Sequence, residues 1–194
     1  MARTATPGAA KEVQKLEKEI LKTKQKLTKL RKKLPKKEIS DYTFKTWEGA
    51  DVTLSSLFDE RNELIVVHNM GKACRYCTLW ADGFNGIYWH MENRLPFVVV
   101  SPDDYQTQRA FGQMRGWKFR MFSSYGTRFF ADMGFASKDE SPWPGVSAFV
   151  RDKKGRIFQV AKTYFGPGDD FCAVWHFLDL LPKGANGWEP QYSY

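Results

Sequence analysis

The chain has 194 residues, 42% hydrophobic and 15% aromatic, which suits one well-buried domain with an appendage and excludes a disordered polymer. Its net charge of +8 is confined to residues 11–38, with 12 Lys+Arg against 4 Asp+Glu; the remainder is balanced, so a solvated lysine face is expected and nucleic acid is not an expected partner. No apolar run reaches membrane-spanning length and residues 1–10 lack a secretory core, so with three cysteines the expected setting is the reducing cytoplasm, away from membrane.

Residues 1–10, rich in Ala, Thr, Pro and Gly, read as a disordered tail. Residues 11–38 read as a basic heptad helix extension. Val13, Leu16, Ile20, Thr23, Leu27, Leu30 and Leu34 are spaced alternately by three and four, and Pro35 disfavours helical geometry at Leu34. A helix of this length is marginal alone in water, so the seam should be covered, either by its own domain or, as a homodimer through residues 13–34, by the same helix of a second chain.

Residues 39–194 read as one domain. Stretches 42–44 and 52–54 flank a turn as short strands, and 55–58 reads as a helical turn. The run 64–67 is β-branched and reads as a buried strand. Trp80, Phe84, Ile87, Tyr88 and Met91 then fall on one face of a helix, and 97–100 reads as a strand covered on both faces. Ser101, Pro102 and Asp104 are helix-start signals, with Tyr105, Phe111 and Met114 as the apolar face and Gly116 as the stop. Residues 117–135 read as aromatic and irregular. Segments 146–150 and 157–161 flank Asp152-Lys153-Lys154-Gly155 as a hairpin, and 171–181 reads as a closing helix.

Cys74-Arg75-Tyr76-Cys77 falls where the 64–67 strand ends and the Trp80 helix begins. Unpaired N–H groups and the helix dipole favour a thiolate there, and two cysteines three positions apart on a first turn can close a disulfide. A Cys-x-x-Cys pair is also half a zinc site. Only Cys172 and the scattered His68, His90 and His176 remain as further ligands, so neither a metal nor a cofactor is expected. Two inert buried thiols are the remaining alternative.

The order of elements is a βαβ unit followed by a ββα unit. This predicts an α/β thioredoxin-like fold around a central mixed sheet, with an N-terminal helical extension. In that arrangement Pro144, ahead of the 146–150 strand, is expected to follow a cis bond and face the cysteine turn.

Several blocks resemble the thioredoxin-like bacterial family known as DUF 899: Cys74-x-x-Cys77, Trp80-Ala81-Asp82, Phe84-Asn85-Gly86 and His90, with support from Met114-Arg115-Gly116-Trp117, Ser123-Ser124-Tyr125-Gly126 and Pro144-Gly145-Val146-Ser147. The likeness runs from about Val13 to Gly184. It implies a thioredoxin-like fold and no established reaction. The chain departs from the family at Asn69, where phenylalanine is common, and at Arg75-Tyr76, where small residues are common.

The chemistry expected is thiol–disulfide exchange, with Cys74 as nucleophile, Cys77 as resolver, and a protein or small-molecule disulfide or thiol as partner. Arg75 should lower the Cys74 pKa, and Tyr76 and Trp80 should form an apolar rim. Asp82 and His68 are candidate proton acceptors, each with a structural alternative, and His90 reads as structural. Two rivals remain. One is a peroxiredoxin-like peroxidase in which Cys77 is oxidised and Cys74 captures it, although Cys74 stands where such enzymes carry threonine. The other is a non-enzymatic scaffold.

Overall fold

The computed structural model describes residues 7–194. The chain divides into two units, Met1–Pro35 and Lys36–Tyr194. In the first, α1 (Pro7–Arg31) is one continuous helix. Of the tail expected over residues 1–10, residues 1–6 lie outside the described residues. Residues 7–10 are instead the opening turn of α1, with Pro7 at the first helical position, where its missing N–H costs nothing. The helix stops at Arg31, before Leu34-Pro35. Val13, Leu16, Ile20, Leu27 and Leu30 are 44–54% exposed, an apolar seam that faces water.

The second unit runs β1 (Lys37–Ile39), β2 (Thr43–Lys45), β3 (Asp51–Thr53), a 3-10 turn (Ser55–Phe58), β4 (Glu63–His68), α2 (Arg75–Arg94), β5 (Phe97–Ser101), α3 (Tyr105–Arg115), β6 (Arg120–Ser123), α4 (Phe129–Met133), β7 (Gly145–Arg151), β8 (Ile157–Tyr164) and α5 (Ala173–Leu178). All the strands join one sheet in the order β1-β8-β7-β4-β5-β6-β2-β3. β4, β5 and β6 are parallel, and β7 runs antiparallel to β4. This is the thioredoxin arrangement, widened at both edges by short antiparallel strands. β4 and β5 occupy its middle, which is why their sequences are continuous apolar runs rather than alternating ones.

The strand period of two divides the core. Leu64 and Val66 of β4 pack with Phe129, Phe130, Met133 and Phe135 on one side of the sheet. Ile65 and Val67 pack on the other with Trp80, Phe84 and Tyr88 of α2, and with Trp175 of α5. The faces matter for function, because a residue at the end of β4 is assigned to one side or the other by parity alone.

Several local expectations are corrected. Ser101 is the last residue of β5, and Asp104 caps α3, its carboxylate accepting from the backbone N–H groups of Gln106 and Thr107. The buried face of α3 is Gln108 and Gly112; Met114 is 68% exposed. Residues 117–135 contain β6 and α4. The closing helix is shorter than residues 171–181, and Phe171 and Leu181 lie exposed outside it. Among the described residues no peptide bond is cis, so the bond before Pro144 is trans.

Candidate active site

The cysteine turn is built from the end of β4. Asn69 is buried; its side-chain carbonyl accepts from Gly71 N–H at 2.8 Å, and its amide donates to the Cys77 carbonyl at 3.4 Å. Gly71 has φ +97°, and an added Cβ would lie 2.5 Å from an Asp103 carboxylate oxygen, so both the dihedral and the space call for glycine. Asp103 itself accepts from Lys72 N–H at 2.7 Å, and burial raises its pKa. Sequence marks Asn69 only as a departure from the family pattern and gives neither it nor Asp103 a part in building the turn. Their signal is an Asx-type residue two positions before a glycine, and an acid at the end of the neighbouring parallel strand.

The turn delivers Cys74 to the N-cap of α2. Cys74 Sγ accepts from Cys77 N–H at 3.0 Å, and the Cys74 carbonyl accepts from Thr78 N–H at 3.0 Å and from the Thr78 hydroxyl at 3.1 Å. All three cysteines are free thiols. Cys74 is half-buried, whereas Cys77 is 2% exposed. The Cys77 thiol and the backbone N–H groups of Cys77 and Tyr76 hydrogen-bond the Cys74 sulfur and lower its pKa to about 7 against the opposing effect of burial. Cys77 is pushed upward by donating its proton to Cys74, by burial and by the Cys74 charge. Once Cys74 ionises, the proton that remains is held on the inner sulfur. Cys172 is buried on the α5 side, where burial raises its pKa.

The other expected participants are placed differently. Arg75 pairs with Glu189, whose other oxygen accepts from the Tyr76 hydroxyl at 3.2 Å. The lowering of Cys74 comes from hydrogen bonds rather than from the Arg75 charge, which Glu189 engages. Trp80 is 3% exposed and belongs to the core; the aromatic neighbours of the turn are Tyr76, Trp175 and Trp188, with ring centroids about 6 Å apart along that series. Asp82 accepts from Arg115 Nε at 3.2 Å, from Arg115 Nη2, and from Trp117 Nε1 at 2.8 Å, a clamp between α2 and the end of α3. His90 is exposed.

His68 lies across the sheet from α2. It is fully buried, stacks on Phe135 at 3.9 Å and Phe129 at 5.2 Å, and bonds Ser147 Oγ through Nε2 at 2.9 Å. Burial, then the Lys162 charge, lowers its pKa to about 3, so it is a neutral core histidine and not a proton acceptor for Cys77. Pro144 precedes β7, whose Gly145 pairs with His68 at the same end of the sheet as the cysteine turn; its carbonyl accepts from Phe165 N–H at 3.0 Å.

The C-terminal segment was missed by sequence reasoning. Arg115 Nη1 donates to the Tyr192 carbonyl at 2.7 Å, and the Tyr192 ring meets Phe111 edge-on. Burial and the negative charge of Cys74 raise the Tyr192 pKa, which places its phenol within electrostatic reach of that thiolate. Glu189 and Tyr192 thus flank the cysteine turn from a stretch without regular structure, for which residue spacing carries no signal.

Among the described residues no three His, Cys, Asp or Glu side chains converge as a metal site, and no helix is long and apolar enough to cross a membrane.

The architecture has clear structural relatives. It is similar to the crystal structure of peroxidoxin BcpB from Mycobacterium tuberculosis, with TM-score 0.53 and 17% identity over 66% of this chain and 84% of that one. A peroxiredoxin-like protein from Aquifex aeolicus gives TM-score 0.52 and 15% identity over 66% and 74%. The mitochondrial 2-cys peroxiredoxin from Plasmodium falciparum gives TM-score 0.51 and 15% identity over 69% and 83%. At such identities the likeness shows the thioredoxin-like fold. No curated protein matches the sequence. The model of a family described as bacterial protein of unknown function (DUF899) matches residues 3–193, nearly the whole chain, and the chain belongs to that family.

Proposed function

We propose that the protein is a thiol–disulfide oxidoreductase in which Cys74 attacks and Cys77 resolves. The observation that carries this is the asymmetry of the pair: Cys74 caps α2 with its pKa lowered to about 7, and Cys77 lies buried behind it holding the proton. A thiol with a pKa near ambient pH combines a large thiolate fraction with retained nucleophilicity. Cys74 thiolate attacks one sulfur of a partner disulfide and expels the other as thiolate. The mixed disulfide removes the Cys74 thiolate as acceptor of the Cys77 proton, the largest cause of the raised Cys77 pKa, together with its negative charge. Cys77 then loses its proton to the departing thiolate or to water and attacks Cys74 sulfur. The partner leaves as a dithiol, two electrons richer, and a Cys74–Cys77 disulfide remains for an external thiol to reduce.

Peroxide reduction is the second reading, favoured by the peroxiredoxin relatives in fold. In it a thiolate displaces an alcohol or water from the peroxide O–O bond and becomes a sulfenic acid, which the other cysteine condenses to a disulfide with loss of water. The buried, protonated state of Cys77 disfavours it as the sulfur oxidised first.

Assays of the wild type, Cys74→Ser and Cys77→Ser with a protein disulfide and with hydrogen peroxide separate the readings. Exchange predicts that Cys77→Ser accumulates a mixed disulfide on residue 74 and that Cys74→Ser captures nothing. Peroxide turnover abolished by Cys77→Ser, with no mixed disulfide trapped, contradicts the exchange mechanism and supports the peroxidase. Neither activity in the wild type supports a scaffold.

A further inference from the structure

The seam of α1 is open to water, and the charges beside it are ordered. With Val13, Ile20 and Leu27 at a positions, Leu16, Thr23 and Leu30 take d. The flanking e positions are then Glu17, Lys24 and Arg31, and the g positions Glu12, Glu19, Lys26 and Lys33. Every acid of residues 11–37 therefore flanks the seam, although lysine dominates the helix elsewhere. The acids stand in its first half and bases occupy the same positions in its second half.

We infer that α1 pairs with α1 of a second copy as an antiparallel two-stranded coiled coil. Reversing the partner sets a against d and brings e opposite e and g opposite g. In the register that stacks Leu16 on Leu27, Val13 meets Leu30 and Ile20 meets Thr23. The same register sets Glu17 opposite Lys24, Glu19 opposite Lys26, and Glu12 opposite Lys33, which lies in the turn just after the helix. The twofold axis repeats each pairing, so every seam-flanking acid meets a lysine. A parallel pair instead sets each g against the next e. That puts Glu12 beside Glu17 and Lys26 beside Arg31, two repulsions for the single attraction of Glu19 and Lys24. Charge order thus selects the antiparallel form. The inference is independent of the chemistry proposed for the cysteines.

Sedimentation equilibrium of the full, reduced chain at low salt tests it with two charge variants. The wild type is expected to be a dimer at micromolar concentration. Lys26→Glu should weaken it roughly tenfold, because two symmetry-related attractions become repulsions. Glu19→Lys combined with Lys26→Glu should restore dimerisation to within a factor of about three, since the swapped charges still match. Lys26→Glu places an acid beside Lys22 and Lys29 of its own helix, so loss of helix does not account for weakening. A monomeric wild type, with the seam covered by its own chain, overturns the inference. So does tighter association of Lys26→Glu, the result a parallel pair requires.

Discussion

Cys74 and Cys77 differ because one sulfur is the acceptor of a helix cap and the other a donor to it. The folded chain ionises Cys74 at about 7, below the ordinary 9.0, so its contribution to stability is fully present above pH 9 and is lost as pH falls through 7. Reactivity follows the same titration. Cys77→Ala removes a donor to the Cys74 sulfur and should move the midpoint of Cys74 alkylation upward, toward 9.0. Arg75→Gln should leave that midpoint within about 0.5 unit, because Glu189 already engages the guanidinium. Rates of iodoacetamide modification across pH measure both. Burial, with the Lys162 charge, holds the His68 pKa below its ordinary value. Its folded pKa of about 3 lies below 6.5, so the unfolded chain takes up the extra proton between those values and stability falls as pH drops. His68→Leu should flatten the pH dependence of unfolding in that window by up to about 1.4 kcal/mol per pH unit. Denaturant midpoints of the two proteins from about pH 6.5 to 4 give the comparison.

At the scale of elements, α2 joins the chemistry to the core. Its N-terminus receives the cysteine turn, its Trp80/Phe84/Tyr88 face fills one side of the sheet, and Asp82 ties it to Arg115 and Trp117. Asp82→Asn keeps the shape and removes the charge, so it should lower stability by about 1–2 kcal/mol while leaving thiol exchange intact. A large loss of exchange at unchanged stability would assign Asp82 to proton transfer instead. The helix and its cysteines were legible in sequence because period 3.6 and the Cys-x-x-Cys spacing are local. For His68 the structural alternative holds rather than proton transfer, and sequence could not choose between them because strand parity depends on which face α4 covers. Residues 117–135 hid β6 and α4 because the elements are only four and five residues long, too short for either period to show. The helix start at Asp104 was shifted by the extension of β5 through Ser101, a tertiary pairing with Ser123 that overrides the local cap signal.

Across the whole molecule, the sheet topology and the structural relatives agree on a thioredoxin-like domain, which the order of elements in the sequence anticipated. What order does not convey is how distant segments meet at the cysteine turn. Asp103 arrives from the end of β5, Trp175 from α5, and Glu189 and Tyr192 from the C-terminal stretch. Thiol exchange as proposed requires the Cys74 sulfur to be the reactive one, and selective alkylation distinguishes it from Cys77. The fully reduced chain is treated at neutral pH with less than one equivalent of iodoacetamide, and the modified peptides are identified by mass spectrometry. Cys74 should carry nearly all of the label, with a rate that rises through a midpoint near 7, while Cys77 and Cys172 stay unmodified until the protein is unfolded. Label appearing first on Cys77, or on neither sulfur of the pair, would rule out Cys74 as the attacking sulfur.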